Sequence, residues 1–410
     1  MQDRTSLPLP QLLAKAIEQH RQGRLREAQS LYAQALALQP RHFDALLHAG
    51  VIAAQLREFS QADRLLASAI EVDPAHALAR SNRGNVLKEL GQHDAALSCY
   101  DAALRLKPDY AECHFNRAVA LQELGRLDEA VAAYDRAVAS RPDFTEALGN
   151  RGAALAALGR LEAAADSYAR AIALRPGDAR LHFDRGLALQ QLGRHADAVA
   201  AYERAIALQP DYAAAHANRG AALQKLGRLE EAVASYDRAV GIDAGDAEVH
   251  YNRGVALQEL AQGVAAEASY RQALRLKPDF ALARWAMAFV SLPPVFALGE
   301  DPAAARAAFD RALDELDRWS AASATAGAAD AVGSRRPFYL SYQEADNRPV
   351  LARYGALCER LMGRWQQANG VAPSPLSPSG RVRLGIVSSN ICAHSVWSAL
   401  IRGIVLNLDP

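Results

Sequence analysis

Cysteine is scarce in this 410-residue chain, and the four that occur (Cys99, Cys113, Cys358, Cys392) have the spacing of neither a disulfide framework nor a zinc site. Charge of either sign is not in surplus. With 46 basic and 46 acidic residues, the chain lacks the basic excess that phosphate binding needs, which sets nucleic acid aside as the main partner. No apolar run approaches the roughly 18 to 20 residues of a membrane span. The opening MQDRTSLPLPQLLAKAIEQH has no basic stretch leading into an apolar one, so no secretory signal is visible. A reduced, cytoplasmic setting without membrane partners is the expectation. Neither GxGxxG nor a P-loop occurs, so cofactor motifs add nothing. Half the residues are hydrophobic (50%), yet mean hydropathy is −0.12, because much of the apolar half is alanine.

What is abundant is repetition. Prolines fall at Pro40, Pro74, Pro108, Pro142, Pro176 and Pro210, then Pro278, in steps of 34 or a multiple, with Ala244 filling the one gap. Alanines keep the step in two series, from Ala28 to Ala266 and from Ala35 to Ala273. Between them runs an aromatic: Tyr32, Tyr100, Tyr134, Tyr168, Tyr202, Tyr236 and Tyr270, with Leu66 substituting once. Gly50, Gly84, Gly152, Gly186, Gly220 and Gly254 open the pattern, with Ala118 once. Eight units can be framed between residues 9 and 280.

Each unit reads as two helices. In residues 77–110, Arg80, Gly84 and Leu87 share a stripe of the first helix, Gly91 breaks it, and Ala96, Tyr100 and Ala103 form the inward stripe of the second. Pro108 ends the second helix. Asp109 with Glu112, and Asp143 with Glu146, are expected to form capping boxes for the next first helices. Small residues let neighbouring helices approach, and each tyrosine fills the space beside them.

Gly, Tyr, Ala and Pro at these offsets resemble the tetratricopeptide repeat. The resemblance implies an all-α, right-handed superhelical solenoid, because one unit cannot bury its apolar face and stacked units can. It also implies a concave groove that binds extended or unfolded polypeptide, and an array able to support oligomers. At about 100° per residue, the sixth position of each unit lies opposite the core glycine. That position holds Asn82, Asn116, Asn150, Asp184, Asn218 and Asn252. Asparagine is a mediocre helix residue where alanine is plentiful, and its amide can pair with the backbone of any extended peptide. The competing reading is that duplication copied an indifferent solvated residue. His48 and Ala14 interrupt the series in the first two units. Flanking positions bring Glu112, Glu146 and Glu248, then Val119, Ala153 and Val255, then Glu89, Glu123 and Glu259, for an amide-lined groove with acidic edges. The histidines His93, His114, His182, His195, His216 and His250 share no metal-ligand spacing and read as packing residues. The arginines that follow the asparagines (Arg83, Arg117, Arg151, Arg185, Arg219, Arg253) are expected to pair with neighbouring units.

Beyond residue 280 the composition changes, and all four tryptophans (Trp285, Trp319, Trp365, Trp397) lie there. Residues 281–320 read as a helical transition, 321–336 as a linker, 337–370 as an aromatic segment plus a helix, and 371–380 as a second linker. Residues 381–410 open with RVRLGIVSS, a buried-strand pattern followed by a polar loop and a helix. A repeat array, then LPPVF, PFYLSY and RVRLGIVSSNICAHSVW, resembles bacterial relatives of protein O-linked N-acetylglucosaminyltransferase (glycosyltransferase family 41). That resemblance makes 381–410 the first β-α unit of a Rossmann-like catalytic domain, with His394 at the position of the family's cleft histidine. It implies UDP-GlcNAc as the parent enzyme's donor, although GDP-fucose-using plant relatives leave the sugar open. The donor contacts of the family come from later sequence, so residues 1–410 alone are expected to bind no cofactor and to show no turnover. The alternative is a non-catalytic repeat scaffold that assembles partners.

Overall fold

The computed structural model describes residues 7–292, 301–322, 328–332, 334 and 346–370. The strand expected over 381–389, His394, and the segments 337–345 and 371–410 lie outside the described residues. Within them the chain is helical and has no strand.

Eight helix pairs follow one another. The first helices are α1 Leu9–Arg21, α3 Phe43–Gln55, α5 Ala77–Glu89, α7 Ala111–Glu123, α9 Thr145–Ala157, α11 Ala179–Gln191, α13 Ala213–Lys225 and α15 Ala247–Glu259. The second helices are α2 Leu25–Leu38, α4 Phe59–Val72, α6 His93–Leu106, α8 Leu127–Ser140, α10 Leu161–Leu174, α12 His195–Leu208, α14 Leu229–Ile242 and α16 Gly263–Leu276. Each helix packs on its immediate neighbours in sequence. Most turns inside a pair carry a glycine with positive φ, such as Gly91 at +73° and Gly193 at +75°. Arg57 (+62°) and Ala261 (+58°) hold the same conformation without that freedom.

The core is the alternation seen in the sequence. Ala28, Ala62, Ala96, Ala130, Ala164, Ala198, Ala232 and Ala266 are wholly inaccessible, as are Tyr100, Tyr134, Tyr202 and Tyr270. Five rings lie against their own unit's glycine, Tyr134 having Ala118 at that place: a Cβ at Gly84 would come within 2.6 Å of Tyr100 Cε1, and one at Gly186 within 2.5 Å of Tyr202 Cε1. Contact that close requires a residue without a side chain.

The capping boxes do not form. The α7 and α9 caps are Tyr110 and Phe144, one residue later than expected, and neither has a capping side chain. Glu112 and Glu146 instead pair with Arg141 and Arg175, the first at 2.6 Å. Side-chain caps occur where a suitable acceptor directly precedes the helix. Within the repeats they are Asp178 and Asp246, with His42 and His76 accepting through Nδ1.

The array is closed by α17 Ala281–Phe289, α18 Pro302–Ala322 and α19 Arg348–Ala368. Trp285, Phe289, Phe309 and Leu357 make a buried cluster there, with Tyr354 packed on it. The Phe289 and Phe309 rings stand 5.0 Å apart, edge to face. An unpacked linker is expected over 321–336, but Ala328 and Ala331 are buried in this cluster beside a short 3-10 turn, Ala329–Ala331. The apolar stripe of α19 keeps Leu357 and Leu361 inside, whereas Leu351 is exposed.

Candidate functional site: the first-helix wall

Consecutive first helices approach one another: α3 meets α5, α5 meets α7, α9 meets α11, α11 meets α13 and α13 meets α15. No pair of consecutive second helices comes comparably close among the described residues. The first helices therefore sit at the smaller radius and line the inner face of the solenoid.

All six sixth-position residues are on these helices and half-buried. Their surroundings differ. Asn82 borders a cavity of about 400 Å³ between α3, α4 and α5, with Val51, Ala54, Phe59, Leu66 and Val86 as apolar walls and Gln55, Asn85 and Glu89 at its edge. The cavity coincides with the one unit whose tyrosine is replaced, at Leu66. Asn150 reaches the Tyr134 hydroxyl. Asn218 turns back to its own helix, its amide donating to the Ala214 carbonyl at 2.9 Å. Asp184 stands 3.6 Å from the Arg180 guanidinium. Burial raises its carboxyl above the ordinary value, and Arg180 only partly offsets that. In the second unit His48 stacks on Tyr32, with ring centres 5.9 Å apart, and Ala14 of the first unit is exposed.

Next along the wall, Val119, Leu187 and Val255 are partly buried and pack against the core. The acidic edge is weaker than its composition suggests. Glu112 and Glu146 are paired with arginines, Lys88 holds Glu89 at 2.8 Å and approaches Glu123 at 3.7 Å, and Gln224 donates to Glu259 at 3.1 Å.

One polar series escaped the sequence reading. Buried tyrosine hydroxyls donate to glutamines on the first helices: Tyr134 to Gln122, Tyr202 to Gln190, Tyr236 to Gln224 and Tyr270 to Gln258. In the third unit Tyr100 donates to Asn85 at 2.8 Å instead. These bonds satisfy the polar tips of five core rings, whereas the buried Tyr32 hydroxyl has no partner, and burial pushes the Tyr134 hydroxyl up to about 12. The signal was available, since glutamine recurs in ALQELG, ALQQLG and ALQKLG.

Four of the six histidines have structural employment. His114, His182, His216 and His250 each engage, through Nε2, the carbonyl six residues earlier. No group of residues suited to a metal ion occurs among the described residues. No helix among them is long and apolar enough to cross a membrane. Of the six arginines, five form the expected ion pairs: Arg83 with Asp63, Arg117 with Asp101, Arg151 with Asp135, Arg219 with Glu203 and Arg253 with Asp237. Arg185 does not.

Comparison with known proteins agrees with this architecture. A tetratricopeptide repeat family profile matches residues 81–143, 115–179 and 183–247. Two further profiles of the same repeat match 19–82 and 247–280. No curated protein sequence matches. Among solved structures, the C-terminal part of a TPR repeat-containing protein from Cytophaga hutchinsonii is 15% identical, with 57% of this chain and 95% of that chain aligned at a TM-score of 0.50. YrrB, described as a TPR protein with an unusual peptide-binding site, is 23% identical over 45% of this chain and 95% of its own, at a TM-score of 0.40. MamA is 26% identical over 39% of this chain and 94% of its own, at 0.38. With repeat profiles spanning most of residues 19–280 and the paired-helix packing to match, the chain is a tetratricopeptide repeat protein.

Proposed function

We propose that this chain is a protein-interaction scaffold whose first-helix wall takes up extended polypeptide. What supports the reading is the pairing of two side-chain series on one wall. Half-buried carboxamides at Asn82, Asn116, Asn150, Asn218 and Asn252 offer hydrogen bonds to a peptide backbone. Partly buried apolar residues such as Val119, Leu187 and Val255 offer the accessible part of their side chains to the client. Asp184 interrupts the amide series with a carboxylate, a point where a backbone N–H or a basic side chain of the client is favoured. The cavity at Leu66 is the anchor for one apolar client side chain, since its walls are apolar and its rim carries the amides of Asn82 and Asn85.

The test selects ligands for the full chain from a library of random short peptides and measures their affinity by fluorescence anisotropy. Replacing Asn116, Asn150 and Asn252 together with alanine should leave helicity intact. At about 1 kcal/mol per lost hydrogen bond, affinity should fall ~100-fold. Undiminished affinity would leave the amides as passengers of duplication.

The transferase reading attached to residues 381–410 and His394 is a finer proposal, with UDP-GlcNAc as the donor of a parent enzyme. Nothing among the described residues or the relatives favours it over the scaffold. Sugar transfer from that donor to peptide, abolished by His394→Ala, would revive it.

A further inference from the structure

The exception among the repeat arginines carries a second site. In four units the arginine of the first helix pairs with an acid sixteen residues earlier, on the second helix of the preceding unit: Asp101, Asp135, Glu203 and Asp237. Arg83 finds alanine (Ala67) at that offset, and Asp63, one turn earlier, takes over at 2.7 Å. For Arg185 both places are empty of charge, because Ala169 and Ala165 occupy them. Its support from within the unit is also gone. Arg151, Arg219 and Arg253 donate to Ser167, Ser235 and Ser269, but the corresponding residue here is Ala201.

The outcome is a half-buried guanidinium whose Nε is shut off from solvent and has no hydrogen-bond partner. A buried donor of this kind is costly unless something completes it. Arg185 lines a cleft of about 220 Å³ between α11 and α12, together with His182, Arg194, Asp197, Ala201 and Arg204. Arg194 is matched by Asp197 at 2.6 Å, and His182 is held by the Pro176 carbonyl. Arg185 and Arg204 have no anionic partner among the described residues, which leaves two positive charges over the cleft.

We propose that this cleft binds a phosphoryl group. A phosphoryl group carries a charge of about −1.5 to −2 at neutral pH, which complements the two unmatched guanidiniums better than a single carboxylate would. Guanidinium presents paired donors in the geometry that phosphate oxygens accept. The volume lies below the roughly 300 Å³ at which pockets begin to enclose drug-sized ligands, so the cleft suits the charged group itself rather than a whole metabolite. The site uses other residues than the peptide wall and goes beyond that reading, so either can fail alone.

The experiment titrates the full chain with inorganic phosphate at constant ionic strength, and separately with a phosphoserine peptide against its unphosphorylated counterpart. Binding is read by calorimetry and by thermal shift. Two variants decide the matter. Arg185→Gln removes the guanidinium. Ala169→Asp restores the acid at the offset where Asp135 already holds Arg151, so it should raise the melting temperature of the free protein while quenching the site. Saturable binding by the wild type, weakened at least about tenfold in both variants, is the expected result. Tighter binding of the phosphopeptide would assign the group to a partner's modified side chain, and equal binding would assign it to a small ion. Binding unchanged by either variant, or no saturable binding of either probe, would overturn the proposal.

Discussion

Leu66→Tyr restores the repeat's own aromatic at the one unit that lacks it, and so fills the proposed anchor cavity without foreign chemistry. The backbone already has the required form. A Cβ at Gly50 would lie 2.7 Å from Leu66 Cγ, close to the 2.6 Å between Gly84 and Tyr100 Cε1, so the glycine floor that receives a ring elsewhere is present here. The added ring covers about 40 Å² of apolar wall, worth ~1 kcal/mol at 25 cal/mol per Å². Against that, Ala54 stands where other units offer a glutamine, so the new hydroxyl must turn to solvent or to the rim amides. An unmade hydrogen bond of that kind costs about 1 kcal/mol. The two effects nearly cancel, and urea unfolding should show stability changed by under about 1 kcal/mol at constant m-value. Peptide binding should behave otherwise. A client leucine or phenylalanine that loses its pocket forfeits ~1.5–3 kcal/mol, a loss of about 10- to 100-fold. The assay is anisotropy with a selected peptide and with the same peptide carrying alanine at its apolar anchor. The wild type should discriminate between the two and the variant should not. Unaltered discrimination would remove the cavity from the binding account, and destabilisation beyond about 2 kcal/mol would show that the space is not ring-shaped.

Two further outcomes are expected. Ala261→Gly and Arg57→Gly relieve left-handed backbone at turns where sibling units use glycine. The left-handed penalty of about 1–2 kcal/mol, less roughly 0.5–1 for glycine's greater chain entropy, predicts a gain of ~0.5–1 kcal/mol each by chemical unfolding. Asp184 binds its proton more tightly in the folded state than in the unfolded chain, because burial raises its carboxyl. Its contribution to stability therefore declines as pH rises through the carboxylate range. Asp184→Asn should stabilise the array at neutral pH and make no difference at a pH below that range, so melting curves at the two pH values should diverge only at the higher one.

Much of the architecture was readable because its determinants are local and repeated. The spacing of Gly84, Tyr100 and Ala103 specifies two amphipathic helices and the ring that seals them, and the helices occur where the pattern places them. The caps were less legible. Asp109 and Asp143 have the right chemistry, but the helices begin at Ala111 and Thr145, and a one-residue shift in the first turn withdraws the side chain from the N–H it would satisfy. The glutamines at 122, 190, 224 and 258 were overlooked for a different reason. On a helix they resemble any solvated polar residue, and only the tyrosine hydroxyl arriving from the second helix gives them a role.

The linear order of residues sufficed for the length of the unit, the two helices in it and the small-against-aromatic core, since each depends on neighbours within a few turns. It led to the expectation of a groove lined by first helices but did not contain the curvature that puts those helices on the inner wall. That follows from the closer approach of α3, α5 and α7 than of the helices between them, a curvature summed over many interfaces. Nor could it say which arginine would be left unmatched, because the partners of Arg117 and Arg151 come from the preceding unit across a packed boundary. Charge pairing at that boundary is a property of distance in space, and Ala169 has meaning only once the helices are stacked.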